Sequence, residues 1–168
     1  ALDLLMDPEV PVVTLVGKAG SGKTLCAIAA GLEQVMGDSS GNKKYKRMIV
    51  SRPVQPLGKD IGFLPGSLED KMTPWLIPIQ DNLKFLMGDD RTTLDMYMEK
   101  GMIEIEALTY IRGRSISNAF IIIDEAQNLS SHELKTIITR VGEGTKIVLT
   151  GDIEQIDSPF VDETTNGL

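Results

Sequence analysis

The residues best suited to chemistry lie in GKAGSGKT, residues 17–24. This stretch fits the pattern G-x-x-x-x-G-K-[ST], in which glycines turn consecutive backbone N–H groups inward at a helix N-terminus. The lysine of such a loop reaches the β- and γ-phosphates of a nucleotide, and the hydroxyl that follows ligates Mg²⁺. A chance glycine-rich turn is the alternative. The pattern predicts a phosphate-binding loop made of Gly17, Lys18, Ala19, Gly20, Ser21, Gly22, Lys23 and Thr24, with Thr24 on the metal.

Two adjacent carboxylates, Asp124 and Glu125, directly follow the apolar run AFIII at 119–123. Unpaired charge at the end of a buried strand is costly, so a cation is expected there. We expect Asp124 to hold Mg²⁺ directly or through a water, and Glu125 to orient or deprotonate an attacking water. The alternative for Glu125 is a strand-end charge paired with a lysine.

A third polar signal is TGDIEQ, residues 150–155, which ends another apolar strand. Its Gln155 could hydrogen-bond both the γ-phosphate and the attacking water, and so report whether the phosphate is present. An ordinary polar turn is the alternative.

Four arginines flank strand ends or loops: Arg52, Arg112, Arg114 and Arg140. Surface salt bridges are the default for each. We favour Arg140 as a catalytic arginine that stabilises transition-state charge, in its own subunit or across an interface, because it closes the helix after the acidic motif. Arg52 is favoured as a nucleic-acid contact.

Apolar periodicity predicts strands at 11–17, 47–51, 102–108, 119–124 and 146–152, the third of them an edge strand. It predicts helices at 24–36, twice in succession between the capping residue Ser67 and Gly88, before Gly101, and after a capping pair at Ser130 and Glu133, with an apolar stripe from Leu134 to Val141. A stiff loop rich in proline and glycine fills 52–66. Alternating strands and helices indicate an α/β domain with a mainly parallel sheet, whose ligand lies at the carboxyl ends of the strands.

Length and composition limit the class of protein. A chain of 168 residues is about one domain long, and its 42% apolar content allows a core. No apolar run approaches the ~18 residues of a membrane span, and the N-terminus lacks the pattern of a secretory signal, so we expect no membrane partner and a cytoplasmic location. The net charge of −7 disfavours tight, charge-driven binding to nucleic acid. A basic stretch at 42–47 is a candidate exception, and a solvated loop is the favoured interpretation of it.

Together, GKAGSGKT, SRPVQPLGKDIGFLPGSLEDKM, RGRSISNAFIIIDEAQNLS and TGDIEQID resemble the ATPase domain of PhoH-like proteins, the phosphate-starvation-inducible family. DEAQ and GDIEQ also resemble the second and third motifs of superfamily 1 helicases. The resemblance implies ATP as the nucleotide, a P-loop NTPase fold of the RecA-like three-layer αβα type, and assembly into a homo-oligomeric ring.

In one branch of that family the domain follows a PIN nuclease domain, and the pair is associated with RNA unwinding and cleavage. The resemblance therefore implies that residues 1–168 form one ATPase domain of a longer protein. An adenine-contacting glutamine segment or PIN domain would lie upstream, and a last strand would lie downstream. We expect this chain alone not to cut RNA.

These observations predict Mg²⁺-dependent binding and hydrolysis of ATP in RNA metabolism, with Lys23, Glu125, Gln155 and Arg140 as catalytic residues. Two alternatives stay open. One is the core of an ATP-driven helicase or translocase that moves on single-stranded RNA. The other is a nucleotide-dependent switch that recruits a partner with little hydrolysis.

Overall fold

The computed structural model describes residues 1–37, 41–53, 68–88, 91–111 and 115–168. In these ranges five strands form one sheet: β1 (Val12–Val16), β2 (Arg47–Arg52), β3 (Ile103–Ala107), β4 (Ala119–Ile123) and β5 (Lys146–Gly151). Their order is β1-β5-β4-β2-β3 and every pairing is parallel. The α/β prediction is confirmed, and so is the edge position of β3.

The helices are α1 (Leu2–Met6), α2 (Lys23–Met36), α3 (Leu68–Met87), α4 (Arg91–Glu99), α5 (Leu108–Ile111) and α6 (Ser131–Ile138), with a short 3₁₀ helix at Ala126–Asn128. The predictions for residues 54–67, including the capping residue Ser67, and for Arg112 and Arg114 lie outside the described residues. Among the helices that are described, none has the length and apolar character needed to cross a membrane.

The sheet is covered on both faces, as the uniformly apolar strands require. On one face, Val50, Phe120 and Ile122 pack with α2, α3 and α4. On the other face, Ile121 and Ile147 pack with α5 and α6. All of β4 is buried. The three layers are therefore helix, sheet and helix, with the central strands β4 and β5 shielded from water.

The helix α2, which follows the glycine-rich loop, packs closely against the sheet. Gly31 of α2 faces β2 and β4, where a Cβ atom would lie 2.5 Å from Met48 Sδ and 2.9 Å from Phe120 Cδ1. Both distances are too short for a real contact, so a larger residue here would force the side chains of Met48 and Phe120 to move. The glycine weakens helix propensity and in return allows α2 to lie against the strands.

A buried lysine fixes the N-terminal segment, which sequence patterns did not predict to be helical. The Lys146 ammonium, at the start of β5, donates to the carbonyls of Leu4 at 2.7 Å and Asp7 at 2.6 Å. These carbonyls lie at the C-terminal end of α1, where a cation is favourable. Burial lowers the pKa of Lys146, and the nearby Asp7 carboxylate opposes that shift.

Two helix predictions were wrong in detail. A single helix, α3, runs through Pro74 and Pro78 where two were expected. Each proline removes one backbone donor and can bend a helix, but burial of Ile79 and Leu83 against the sheet holds the second half in place.

The helix α6 ends at Ile138, before the predicted Val141, because short i to i+3 bonds at Arg140 and Val141 tighten its last turn. Its predicted capping box at Ser130 and Glu133 is confirmed.

We predict that Gly31→Ala destabilises the fold. Alanine improves helix propensity by about 1 kcal/mol, whereas overpacking a rigid core costs about 1–3 kcal/mol. The net loss of unfolding free energy, measured by urea denaturation, should therefore be up to about 2 kcal/mol. In a Met48→Ala background the same change should cost less, because the clashing sulfur is gone. A more stable Gly31→Ala protein would contradict the packing argument.

Candidate functional site

Three strand ends meet at one edge of the sheet because β1, β5 and β4 are neighbours. Val16 pairs with Gly151, and Ile123 pairs with Leu149, so the segments that follow all three strands leave at the same level. The amide of Gly17 donates to the carbonyl of Gly151 at 3.2 Å. The glycine-rich loop and the acidic ends of β4 and β5 are thereby adjacent.

The loop at 17–24 lies between β1 and α2, as its pattern requires. Gly20 and Gly22 have φ values of 75° and 80°, which favour glycine, and α2 begins directly after Gly22. The Lys23 ammonium donates to the carbonyls of Gly17 at 2.6 Å and Lys18 at 2.8 Å. The loop therefore curls around its own lysine, which holds a positive charge at the mouth of the turn.

Asp124 is buried at the end of β4 and accepts two hydroxyl hydrogen bonds on one oxygen. Thr24 donates to Oδ1 at 2.7 Å and Thr150 donates to the same atom at 2.6 Å. Adjacent carboxylate and hydroxyl oxygens are the ligand type that Mg²⁺ prefers, so Thr24 and Asp124 fit a magnesium site. The hydrogen bond from Thr150 to Asp124 was not predicted from the sequence, because a threonine inside a strand resembles any other β-branched strand residue.

Glu125 has a strained backbone and a fully engaged side chain. Its φ of 54° is rare outside glycine, asparagine and aspartate. The Arg52 guanidinium donates to Oε1 at 3.2 Å, and the Gln127 amide donates to Oε2 at 2.5 Å. The side chains of Arg52 and Glu125 are only 23% and 31% exposed. The partner of Glu125 is thus an arginine on β2, where the alternative interpretation expected a lysine.

The segment after β5 is organised by Asp152. One oxygen of its buried carboxylate accepts the amide of Ala19 at 2.8 Å, in the glycine-rich loop, and the other accepts the amide of Glu154 at 3.0 Å. The amide of Gln155 donates to the Asp152 carbonyl at 3.0 Å, which closes a turn. Asp152 therefore joins the segment that carries Gln155 to the phosphate-binding loop.

A cavity of about 330 Å³ opens between these segments. Polar side chains from the loop, β4 and the segment after β5 face one space, and α3 contributes Asn82. Sequence reasoning missed Asn82, since nothing in the helix pattern distinguishes it. The lining residues are Ala19, Gly20, Gly22, Lys23, Thr24, Leu25, Asn82, Asp124, Glu125, Gly151, Asp152 and Gln155.

Arg140 does not reach this cavity. It immediately precedes Val141, which pairs with Ile116 just before β4 begins, so Arg140 lies at the amino edge of the sheet. The cavity lies at the carboxyl edge. The expectation that Arg140 acts on a ligand bound in its own chain is corrected, because α6 runs back across the sheet and carries its end away from the acidic motif.

The basic stretch at 42–47 also lies at the amino edge, directly before β2. Tyr45 is buried with its ring at 71° to that of Phe120, Lys44 donates to the Met6 carbonyl at 2.9 Å, and Arg47 pairs with Glu104 at 3.0 Å. Burial raises the pKa of Tyr45. These contacts favour a structural role for the stretch.

The C-terminal residues fold back over the end of β5. Asn128 Oδ1 accepts the amides of Asp157 and Ser158, and Asn166 pairs with Ser130. In the turn between them, hydrogen bonds from Thr164 and Thr165 hold the pKa of the Asp162 carboxyl at about 2, below its usual 3.8. The segment after β5 is therefore anchored at both ends.

A glycine-rich loop between β1 and α2, beside an acid-ended β4 in a parallel sheet, defines a P-loop NTPase fold. The family model described as PhoH-like protein matches residues 2–168, and the chain belongs to the PhoH-like protein family. Membership supports an ATPase-like function with nucleotide and divalent-metal binding.

Curated relatives agree with this assignment. Protein PhoH2 of Bacillus subtilis (strain 168) is 58% identical over 170 residues, which span 100% of this chain and 38% of that protein. Protein PhoH2 of Mycolicibacterium smegmatis is 43% identical over 94% of this chain and 35% of its own length. A PhoH-like protein of Bacillus subtilis is 41% identical over 86% of this chain and 43% of its own length. The chain thus spans well under half the length of these relatives.

We predict that Lys23→Ala weakens binding of a nucleoside triphosphate in the presence of Mg²⁺. A charge-assisted hydrogen bond contributes about 1.5–3 kcal/mol, so the Kd in a fluorescence titration should rise about 10- to 100-fold. Lys100→Ala, an exposed lysine after α4, is the matched control and should leave the Kd unchanged. Equal affinities for the Lys23→Ala and Lys100→Ala proteins would remove Lys23 from the phosphate site.

Proposed function

We propose that this domain binds ATP with Mg²⁺ and hydrolyses it to ADP and phosphate. The observation that carries the proposal is the single cavity lined by Lys23, Thr24, Asp124, Glu125 and Gln155. Each of these side chains is assigned a different role in phosphoryl transfer to water. These roles can combine only if the side chains face the same cavity.

The phosphates are assigned to the glycine-rich loop. Its amides and the dipole of α2 favour anionic oxygens, and Lys23 supplies a point charge to the β- and γ-phosphates. Thr24 and Asp124 would hold Mg²⁺. The bound cation supplies neutralisation of the charge that gathers on the transferred phosphoryl group.

Water activation is assigned to Glu125 and phosphate sensing to Gln155. A carboxylate accepts a proton from water efficiently only if it is held at hydrogen-bonding distance in a fixed orientation. Two donors already constrain the carboxylate of Glu125. Gln155 is exposed to the cavity, so its amide is available to a terminal phosphate and to the attacking water.

We predict that Glu125→Gln keeps ATP binding and lowers turnover by about 10²-fold or more, the scale of a lost general base. Turnover should be measured as phosphate release and binding by equilibrium titration. Glu143→Gln, an exposed glutamate at the amino edge, is the control and should match the wild-type chain. Unchanged turnover in the Glu125→Gln protein would refute the role of Glu125.

A second candidate function is the nucleotide-dependent switch with little hydrolysis. The ion pair between Arg52 and Glu125 favours it, because the guanidinium occupies Oε1 of Glu125 and competes with water for that oxygen. Single-turnover assays distinguish the two: a switch would retain bound ATP for many minutes, whereas an ATPase would release phosphate.

Single-stranded RNA is proposed as the partner that removes this restraint. A backbone phosphate that engages Arg52 would release Oε1 of Glu125 to a water. Movement along RNA, as in a helicase or translocase, would require a second such core, from a homo-oligomeric ring or from other parts of a longer protein such as a PIN domain. Arg140 at the amino edge would then act only on a neighbouring subunit.

We predict that single-stranded RNA raises the ATPase rate of the wild-type chain, and that Arg52→Ala raises the RNA-independent rate and abolishes the stimulation. Lys43→Ala is the control from the basic stretch at the amino edge and should keep normal stimulation. A lower RNA-independent rate in Arg52→Ala would instead mean that Arg52 aligns Glu125 for catalysis.

A further inference from the structure

We infer that Gln127 is a positioning residue for Glu125 and couples it to the segment that carries Gln155. The inference rests on the proposed ATP hydrolysis, because it concerns the residue assigned to water activation. Gln127 does not line the cavity. It follows Glu125 by two residues, inside the 3₁₀ helix at Ala126–Asn128, and has no exposed surface.

All the hydrogen-bonding groups of this buried amide are used on the site. Nε2 donates one hydrogen to Glu125 Oε2 at 2.5 Å and the other to the carbonyl of Gln155 at 2.9 Å. Oε1 accepts the amide of Asp152 at 3.2 Å. Turning the amide over would bring its oxygen against two acceptors and its nitrogen against a donor. The orientation is therefore fixed by its partners.

The end of β5 leaves room for this side chain. A Cβ atom on Gly151 would overlap Leu168 Cδ1 and lie 2.6 Å from Gln127 Oε1, so a larger residue at 151 would displace the Leu168 side chain and the amide. The same glycine contributes backbone to the wall of the cavity. The absence of a side chain at Gly151 thus leaves room for the buried amide of Gln127 and for the cavity beside it.

The two described hydrogen-bond partners of the Glu125 side chain differ in their exposure to solvent. Arg52 reaches Oε1 from the end of β2 and keeps 23% of its side chain exposed, so an outside anion has access to it. Gln127 reaches Oε2 from the buried side and has no exposed surface for a competing ligand. If Arg52 is drawn away, Gln127 is the hydrogen-bond partner that remains to the Glu125 side chain among the described residues.

The second hydrogen of the same amide provides the coupling. Gln155 lies on the segment that would contact the γ-phosphate, and its carbonyl shares Nε2 of Gln127 with Glu125. A shift of that segment on phosphate binding therefore changes the position of Nε2 and, with it, of Glu125. Loss of the terminal phosphate would act in the reverse direction.

The test is a double-mutant cycle on ATP hydrolysis by the whole chain. Gln127→Ala should lower kcat about 10-fold or more while ATP affinity changes less than about threefold, because misplacing a catalytic group by about 1 Å can cost 10²-fold in rate. In a Glu125→Gln background, Gln127→Ala should lower the residual rate little further, since the residue it positions no longer acts as a base.

Two further variants distinguish a positioning role of Gln127 from a role in folding. Gln34→Ala removes another buried glutamine, whose Nε2 donates to the carbonyls of Leu5 and Ala30 away from the cavity. It should lower the melting temperature and leave kcat unchanged. Gln127→Met keeps the length of the side chain but has no hydrogen to donate to Glu125 or to the carbonyl of Gln155. It should reproduce the kcat loss even if Gln127→Ala folds poorly.

Each outcome decides the question. An unchanged kcat in the Gln127→Met protein overturns the inference. So does an equal proportional loss from Gln127→Ala in the wild-type and Glu125→Gln backgrounds, which would show a general effect on the fold. If the wild-type chain hydrolyses no ATP with or without RNA, the proposed function fails first and the inference falls with it.

Discussion

One oxygen atom, Oδ1 of Asp124, joins the three parts of the site. A buried carboxylate is costly unless its charge is compensated, and here the hydroxyls of Thr24 and Thr150 donate to the same oxygen. Thr24 belongs to α2, Thr150 to β5 and Asp124 follows β4, so the two bonds fix the helix of the phosphate-binding loop against both central strands. The remaining contacts at this edge depend on that alignment.

Much of this arrangement could be predicted from sequence because it follows from local patterns on a parallel sheet. The loop at 17–24 needs only its own spacing, and a buried strand that ends in acids predicts a cation wherever the sheet places it. The alternation of Ile103, Glu104 and Ile105 correctly indicated the edge strand. Adjacency of the three strand ends then follows from parallel pairing alone.

The rest depends on contacts between residues far apart in the chain. The partner of Glu125 lies 73 residues away on a neighbouring strand, and nothing in DEAQ distinguishes Gln127 from a surface glutamine. Arg140 was misplaced because closeness in sequence suggested closeness in space. A helix of eight residues spans about 12 Å, enough to carry its last turn from the carboxyl edge toward the opposite side of the sheet. The continuous α3 shows tertiary packing overriding two prolines.

The close packing of Gly31 against Met48 and Phe120 limits how the molecule can respond to a ligand. Because Gly31 has no side chain, α2 packs directly on two side chains of the sheet, and such close packing resists sliding or tilting of the helix. We therefore expect the glycine-rich loop, which leads into α2, to keep its position when a ligand binds. Among the described residues, we therefore expect a change of conformation on ligand binding in the short connections that follow β4 and β5.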